Sequence, residues 1–127
     1  GPRDIQNNQC VIVRRDTFEK QFVSLDNLAQ TVESMLQSVH DTMLKQAKDL
    51  REAHTVTATT WDELVKGIEN NCFVYAPWCA ERSCEDAIKE ECGATTRNIP
   101  KDGRHVGEIC VHCGKPAKCH VYFAKSY

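Results

Sequence analysis

The sequence predicts an α+β fold: a two-layer β-α-β-α-β-β sandwich, preceded by a β-hairpin and one long helix. Three observations predict it. Apolar residues recur at three- and four-residue steps between Leu25 and Ala53. After residue 53, strand-like and helix-like segments alternate. Four of the eight cysteines stand in two close pairs in that same half, a pattern that asks the fold to bring two loops together.

Gln9 to Arg15 (QCVIVRR) reads as an apolar strand with a charged end, Asp16-Thr17-Phe18-Glu19 as a turn, and Lys20 to Ser24 as the returning strand. A hairpin alone is marginal in water, and no further strand is predicted before residue 54. The hairpin is therefore expected to belong to a larger domain whose earlier strands are absent. Ser24 is a good N-cap. Leu28, Val32, Met35, Leu36, Val39, Met43, Ala47 and Leu50 then form one apolar face. Asp26 and Glu33 come early while Lys45, Lys48 and Arg51 come late, which matches the helix dipole. The helix is expected from about Leu25 to Ala53, its stripe used for core packing or for linking two domains rather than for binding a partner.

The second half is read segment by segment. His54 to Thr59 (HTVTAT) is a β-branched strand. Thr60-Trp61-Asp62-Glu63 is a capping box that opens a short helix to about Glu69. Cys72 to Ala76 is a buried-type strand, Cys84 to Glu91 a helix ended by Gly93, and Ala94 to Ile99 a strand stopped by Pro100. Lys101 to Gly107 is a polar loop, and Cys119 to Lys125 (CHVYFAK) is the last strand. This order implies a mostly parallel sheet with its helices on one face.

Composition and charge narrow the function classes. The chain has 127 residues, enough for one domain or a small domain with an appendage. It contains no apolar run long enough to span a bilayer and no apolar signal-peptide core after Gly1, and it reads as cytosolic. Net charge is −2, but Thr60 to Glu91 carries eight acids against three bases, while Thr96 to Tyr127 carries six bases against two acids. The basic end could touch a phosphate backbone; the simpler expectation is that the two halves compensate each other within one fold.

Cys79-Ala-Glu-Arg-Ser-Cys84 and Cys110-Val-His-Cys113 are spaced as two chelate loops. Zinc takes four soft donors in a tetrahedron, and two such loops supply them. Gly114, directly after Cys113, lets the backbone curl so that amides point at thiolate sulfur. Cys84 is placed near a helix start, where amide dipoles favour a thiolate. Four cysteine donors leave no open position for water, which points to a structural metal and not a catalytic one. A disulfide framework and a redox use of the Cys110–Cys113 pair are the rival readings of the spacing. Cys10, Cys72, Cys92 and Cys119 are expected as small buried side chains, His112 as solvent-facing or a neighbour of the metal and not a ligand, and His120 as a surface or edge residue. No Gly-rich phosphate loop, HExxH, GxSxG or acid/base pair appears.

The residues resemble a known family over nearly the whole chain. Gly1 to Lys20, with its GPRD, NNQ and RRDT runs, resembles the end of the anticodon-binding domain of archaeal/eukaryotic-type prolyl-tRNA synthetases. Phe73-Val-Tyr-Ala-Pro-Trp-Cys79, Cys84-Glu85, Ile88-Lys-Glu90, Gly93-Ala-Thr-Thr-Arg97, Cys113-Gly-Lys-Pro-Ala-Lys118 and Val121 to Tyr127 resemble that family's C-terminal zinc-binding domain. The resemblance implies an incomplete anticodon-binding hairpin at 1–24, a linking helix at 25–53 and a zinc domain at 54–127. It implies a class II ligase that joins proline to tRNA(Pro) with ATP and Mg²⁺, with the catalytic core outside this chain. It further implies a homodimeric parent in the cytoplasm, zinc ligands at Cys79, Cys84, Cys110 and Cys113, and a C-terminal Tyr127 whose carboxylate reaches toward the catalytic site. The rival reading is a free-standing zinc-stabilised module that binds protein or RNA.

Overall fold

A computed structural model describes residues 1–125. The chain forms two compact units that divide between Asp49 and Leu50.

In the first unit, α1 (Pro2–Gln6) precedes an antiparallel hairpin of β1 (Gln9–Val13) and β2 (Lys20–Ser24), registered from Gln9↔Ser24 to Val13↔Lys20. The short α1 was not expected, although Pro2 in its first turn favours a helix start. The expected turn closes with Phe18 N–H donating to Arg14 O (2.8 Å) and Arg14 N–H donating to Glu19 O (2.9 Å). Arg14 grips Asp16 through two nitrogens, at 3.1 and 2.7 Å, and donates to Ser38 Oγ at 2.8 Å. Ser24 caps as expected, accepting from Asp26 N–H at 3.3 Å, but the chain first makes a 3₁₀ turn at Leu25–Asn27. The helix proper, α2, spans Leu28–Ala53 and crosses the unit boundary.

The expected apolar stripe of α2 is only partly covered. Leu28, Thr31, Met35, Ser38, Val39 and Thr42 are half-buried, whereas Leu36, Met43 and Leu50 are exposed. Val23 is the only buried hydrophobic residue among the described residues of this unit. Two strands make too narrow a layer to cover a helix face, so the stripe stays open over much of its length.

In the second unit, β3 (Thr55–Thr57), α3 (Trp61–Glu69), β4 (Phe73–Trp78), α4 (Arg82–Cys92), β5 (Ala94–Asn98) and β6 (Cys119–Lys125) follow the expected order. Thr60 and Glu63 form the capping box: Thr60 Oγ1 accepts from Glu63 N–H at 3.4 Å, and Glu63 Oε2 accepts from the N–H groups of Thr60 and Thr59 at 3.2 and 2.8 Å. Gly93, with φ at +73°, ends α4.

The sheet order is β3-β4-β6-β5. Only β3 and β4 are parallel neighbours; β6 runs antiparallel to both β4 and β5. The expectation of a mostly parallel sheet is therefore corrected. Helical crossovers carry the chain back to the starting end of the sheet before β4 and before β5, so β3, β4 and β5 share a direction. No helix separates β5 from β6, and the last strand returns the opposite way into the gap between β4 and β5.

One face of the sheet carries the core, where Val74, Ala76, Val121 and Phe123 meet Leu64 and Ile68 of α3 and Ile88 of α4. Contact is tight enough that a Cβ on Gly67 would lie 2.5 Å from Val74 Cγ2. Over the other face lies the polar loop: Tyr75 Oη donates to Arg104 O at 2.7 Å, and Arg104 Nη2 donates to Thr57 Oγ1 at 3.0 Å. No helix among the described residues is long and apolar enough to cross a membrane.

Candidate metal centre

Strand β4 delivers Cys79 at its end. Ala80 then takes a left-handed turn (φ +59°), Glu81 stands at the N-terminal boundary of α4, and Cys84 falls in the first helical turn facing inward. The second loop is stitched to the end of the same strand. Val111 N–H donates to Pro77 O at 3.0 Å and Lys118 N–H donates to Trp78 O at 2.9 Å. Within that loop, Cys110 N–H donates to Lys115 O at 2.7 Å and Gly114 N–H to Cys110 O at 3.2 Å, with Gly114 at φ +70°. A β-branched or bulky residue would resist that left-handed position.

The result is one cluster. The Sγ atoms of Cys79, Cys84, Cys110 and Cys113 all lie within 4.8 Å of one another, with Cys84–Cys110 at 3.7 Å and Cys79–Cys113 at 3.6 Å. A disulfide needs about 2.05 Å, and all the cysteines are free thiols. A tetrahedron with metal–sulfur bonds of about 2.3 Å has edges of about 3.8 Å. The Cys84–Cys110 and Cys79–Cys113 separations fit the edges of that tetrahedron, so the four cysteines can hold one metal ion. No other group of three or more metal-ligating side chains occurs among the described residues.

The electrostatics favour a cation. Burial pushes the Cys79 and Cys84 thiols up, and the neighbouring Cys110 raises Cys84 further. Burial also opposes ionisation of Cys110, but backbone N–H groups of Cys113 and His112 aim at its sulfur and bring it down to about 7. Thiols this crowded resist ionising together, and a dication among them removes that conflict.

Around the sulfurs stands a polar frame that local sequence pattern did not reveal. His112 Nδ1 lies 3.5 Å from Cys84 Sγ, and its Nε2 lies 2.9 Å from Glu91 Oε1. Its ring packs edge-on to Trp61 with centroids 4.8 Å apart. Lys115 Nζ pairs with Glu81 Oε2 at 2.5 Å and bridges the two cysteine loops. These partners sit 21 and 34 residues apart in sequence, so no local pattern marks them. They also pair the acidic and basic halves of the unit, as the charge distribution suggested.

The remaining candidates fall elsewhere. Cys10, Cys72, Cys92 and Cys119 are half-buried and outside the cluster, less buried than expected. His120 joins its ring nitrogen Nε2 to Gly107 O at 3.0 Å and packs against His105. Tyr127 lies outside the described residues.

A family model described as "Prolyl-tRNA synthetase, C-terminal" matches residues 61–127. The chain belongs to the prolyl-tRNA synthetase family. It is 47% identical over 128 residues to the proline–tRNA ligase of Lachnospira eligens, and 42% identical over 128 residues to proline–tRNA ligase 2 of Bacillus thuringiensis. Each match covers 100% of this chain and 27% of the relative. A solved prolyl-tRNA synthetase from Cryptosporidium parvum, complexed with L-proline and AMP, matches with a TM-score of 0.92 at 30% identity, covering 100% of this chain and 28% of that one. The matches to prolyl-tRNA synthetases thus take in the hairpin and α2 as well as the cysteine-bearing unit. The chain spans little more than a quarter of the length of these synthetases.

Proposed function

We propose that this chain is the zinc-stabilised C-terminal region of a proline–tRNA ligase of the archaeal/eukaryotic type. In this reading the complete enzyme activates proline with ATP and Mg²⁺, transfers it to tRNA(Pro), and works as a cytoplasmic homodimer. The catalytic core belongs to the part of the relatives that this chain does not span. Residues 1–24 end an anticodon-binding domain, 25–53 link it, and 54–127 form the zinc domain. The observation that carries the reading is the match over the whole chain to a synthetase structure complexed with L-proline and AMP.

Cys79, Cys84, Cys110 and Cys113 would hold one Zn²⁺. Bound there, zinc supplies a cross-link between the end of β4, the start of α4 and the loop before β6. Four thiolates fill its coordination, so the site serves architecture. The backbone amides of His112 and Cys113 hold charge on Cys110, and His112 orients Cys84.

Two measurements test the proposal. The complete protein should catalyse proline-dependent ATP–pyrophosphate exchange, and residues 1–127 alone should not. Elemental analysis of chain purified without chelator should find one zinc per chain. Absence of proline-dependent exchange by the complete protein would return the reading to a free-standing zinc module.

A further inference from the structure

The four sulfurs are not equivalent. Cys79, Cys84 and Cys110 are 1%, 5% and 2% exposed, whereas Cys113 is exposed. Cys84 is shielded by the imidazole of His112, which is itself held between Trp61 and Glu91. Cys113 sits on a tight turn followed by three exposed residues, Gly114, Lys115 and Pro116. Its sulfur lies 3.6 Å from that of Cys79, which is fixed at the end of a buried strand.

We propose that Cys113 is the entry point for hydrogen peroxide into this centre and that Cys79 completes a disulfide with it, so that oxidation unclasps the metal. The inference rests on the zinc reading above. In the first step the Cys113 thiolate attacks one oxygen of the peroxide. A sulfur–oxygen bond forms, the O–O bond breaks, and hydroxide leaves. In the second step the Cys79 thiolate attacks the sulfenic sulfur; the S–S bond forms and a second hydroxide leaves. Two thiolates have together lost two electrons, and one peroxide has become two hydroxide ions.

Closing the pair from 3.6 Å to the disulfide distance of about 2.05 Å calls for a shift of about 1.6 Å. The exposed turn at Cys113 can supply it without moving β4. Only Cys84 and Cys110 then remain as donors, half of a tetrahedral set, and the chain no longer retains the metal.

The test is hydrogen peroxide titration of zinc-loaded chain, reading released zinc with a chromophoric indicator and mapping disulfides by peptide mass. One zinc should be released for every two thiols lost, the first disulfide should join Cys79 to Cys113, and dithiothreitol with added zinc should restore binding. A first disulfide between Cys110 and Cys113, or one containing Cys84, overturns the proposal. So does zinc that stays bound at peroxide levels that already oxidise Cys72. A preparation that contains no zinc, yet still joins Cys79 to Cys113 first, fails the zinc reading while upholding the pairing; without zinc and with another pairing, both fall.

Discussion

His112 and Cys84, 28 residues apart in sequence, meet with Nδ1 and Sγ 3.5 Å apart, and Glu91 holds the far nitrogen of the ring at 2.9 Å. A carboxylate that holds an imidazole beside a cysteine sulfur fixes the ring against it without adding a ligand.

Replacing that frame should weaken the metal and leave the fold. His112→Ala is expected to reduce zinc affinity by about tenfold, and Glu91→Gln by less, in competition against a calibrated chelator. Circular dichroism of the zinc-saturated variants should match the parent. Equal affinity in all three proteins would show that the contact is packing alone.

Rising pH should ionise Cys110 first in metal-free chain. Its thiol is depressed to about 7 from an ordinary 9.0. A depressed acid contributes stability above its unfolded value, and that contribution is lost as pH falls from about 9 through about 7. Cys84 works with the opposite sign, because its raised thiol favours the neutral folded form until the pH climbs past the unfolded value. Thiolate ultraviolet absorbance of metal-free chain should therefore show an early step near pH 7 that Cys110→Ser abolishes. An early step that survives the substitution would assign it to another thiol.

Gly67→Ala should destabilise the second unit. The added methyl meets Val74 Cγ2 at 2.5 Å, and also lies 3.1 Å from Val56 Cγ2. Overpacking of this kind costs about 1–3 kcal/mol, against roughly 1 kcal/mol regained in helix propensity. The net loss should lower the melting temperature by several degrees, at roughly 4–8 °C per kcal/mol. A variant with an unchanged melting temperature would mean that α3 shifts freely on the sheet.

On the proposed reading, in which Tyr127 ends the ligase, deleting it from the complete enzyme should lower aminoacylation by about tenfold, the rate equivalent of one lost charge-assisted hydrogen bond. The expectation comes from the role that family resemblance assigns to the terminal carboxylate. Zinc content and melting temperature should hold, since the deletion removes one terminal residue. An undiminished rate would remove that role from this protein.

Much of this was legible in sequence because the signals were local. The capping box at Thr60, the stop at Gly93 and the alternation in Cys119–Lys125 each mark an element by neighbours a few residues apart. Cysteine spacing carried the cluster, since two short chelate loops have few uses besides metal binding. The features that stayed hidden were set by distant partners. The direction of β6 depends on which gap it fills, and the contacts of His112 with Glu91 and of Lys115 with Glu81 join residues that only the folded sheet brings together. The stripe on α2 was legible as a pattern but not as burial, because its cover depends on what packs there.

The place of β6 has a bearing on how the protein is made. Synthesis runs from the N-terminus, so β3, β4 and β5 are made before the strand that separates β4 from β5 exists. Until then β5 has no partner strand, and the core lacks Val121 and Phe123, which end 1% and 0% exposed. A chain that stops before β6 therefore leaves β4 with an open edge and β5 unpaired, a state prone to pairing with a neighbouring chain. Closure waits until Cys119–Lys125 has been translated, so a ribosome that stalls shortly before Cys119 would leave an aggregation-prone product rather than a slightly shortened domain.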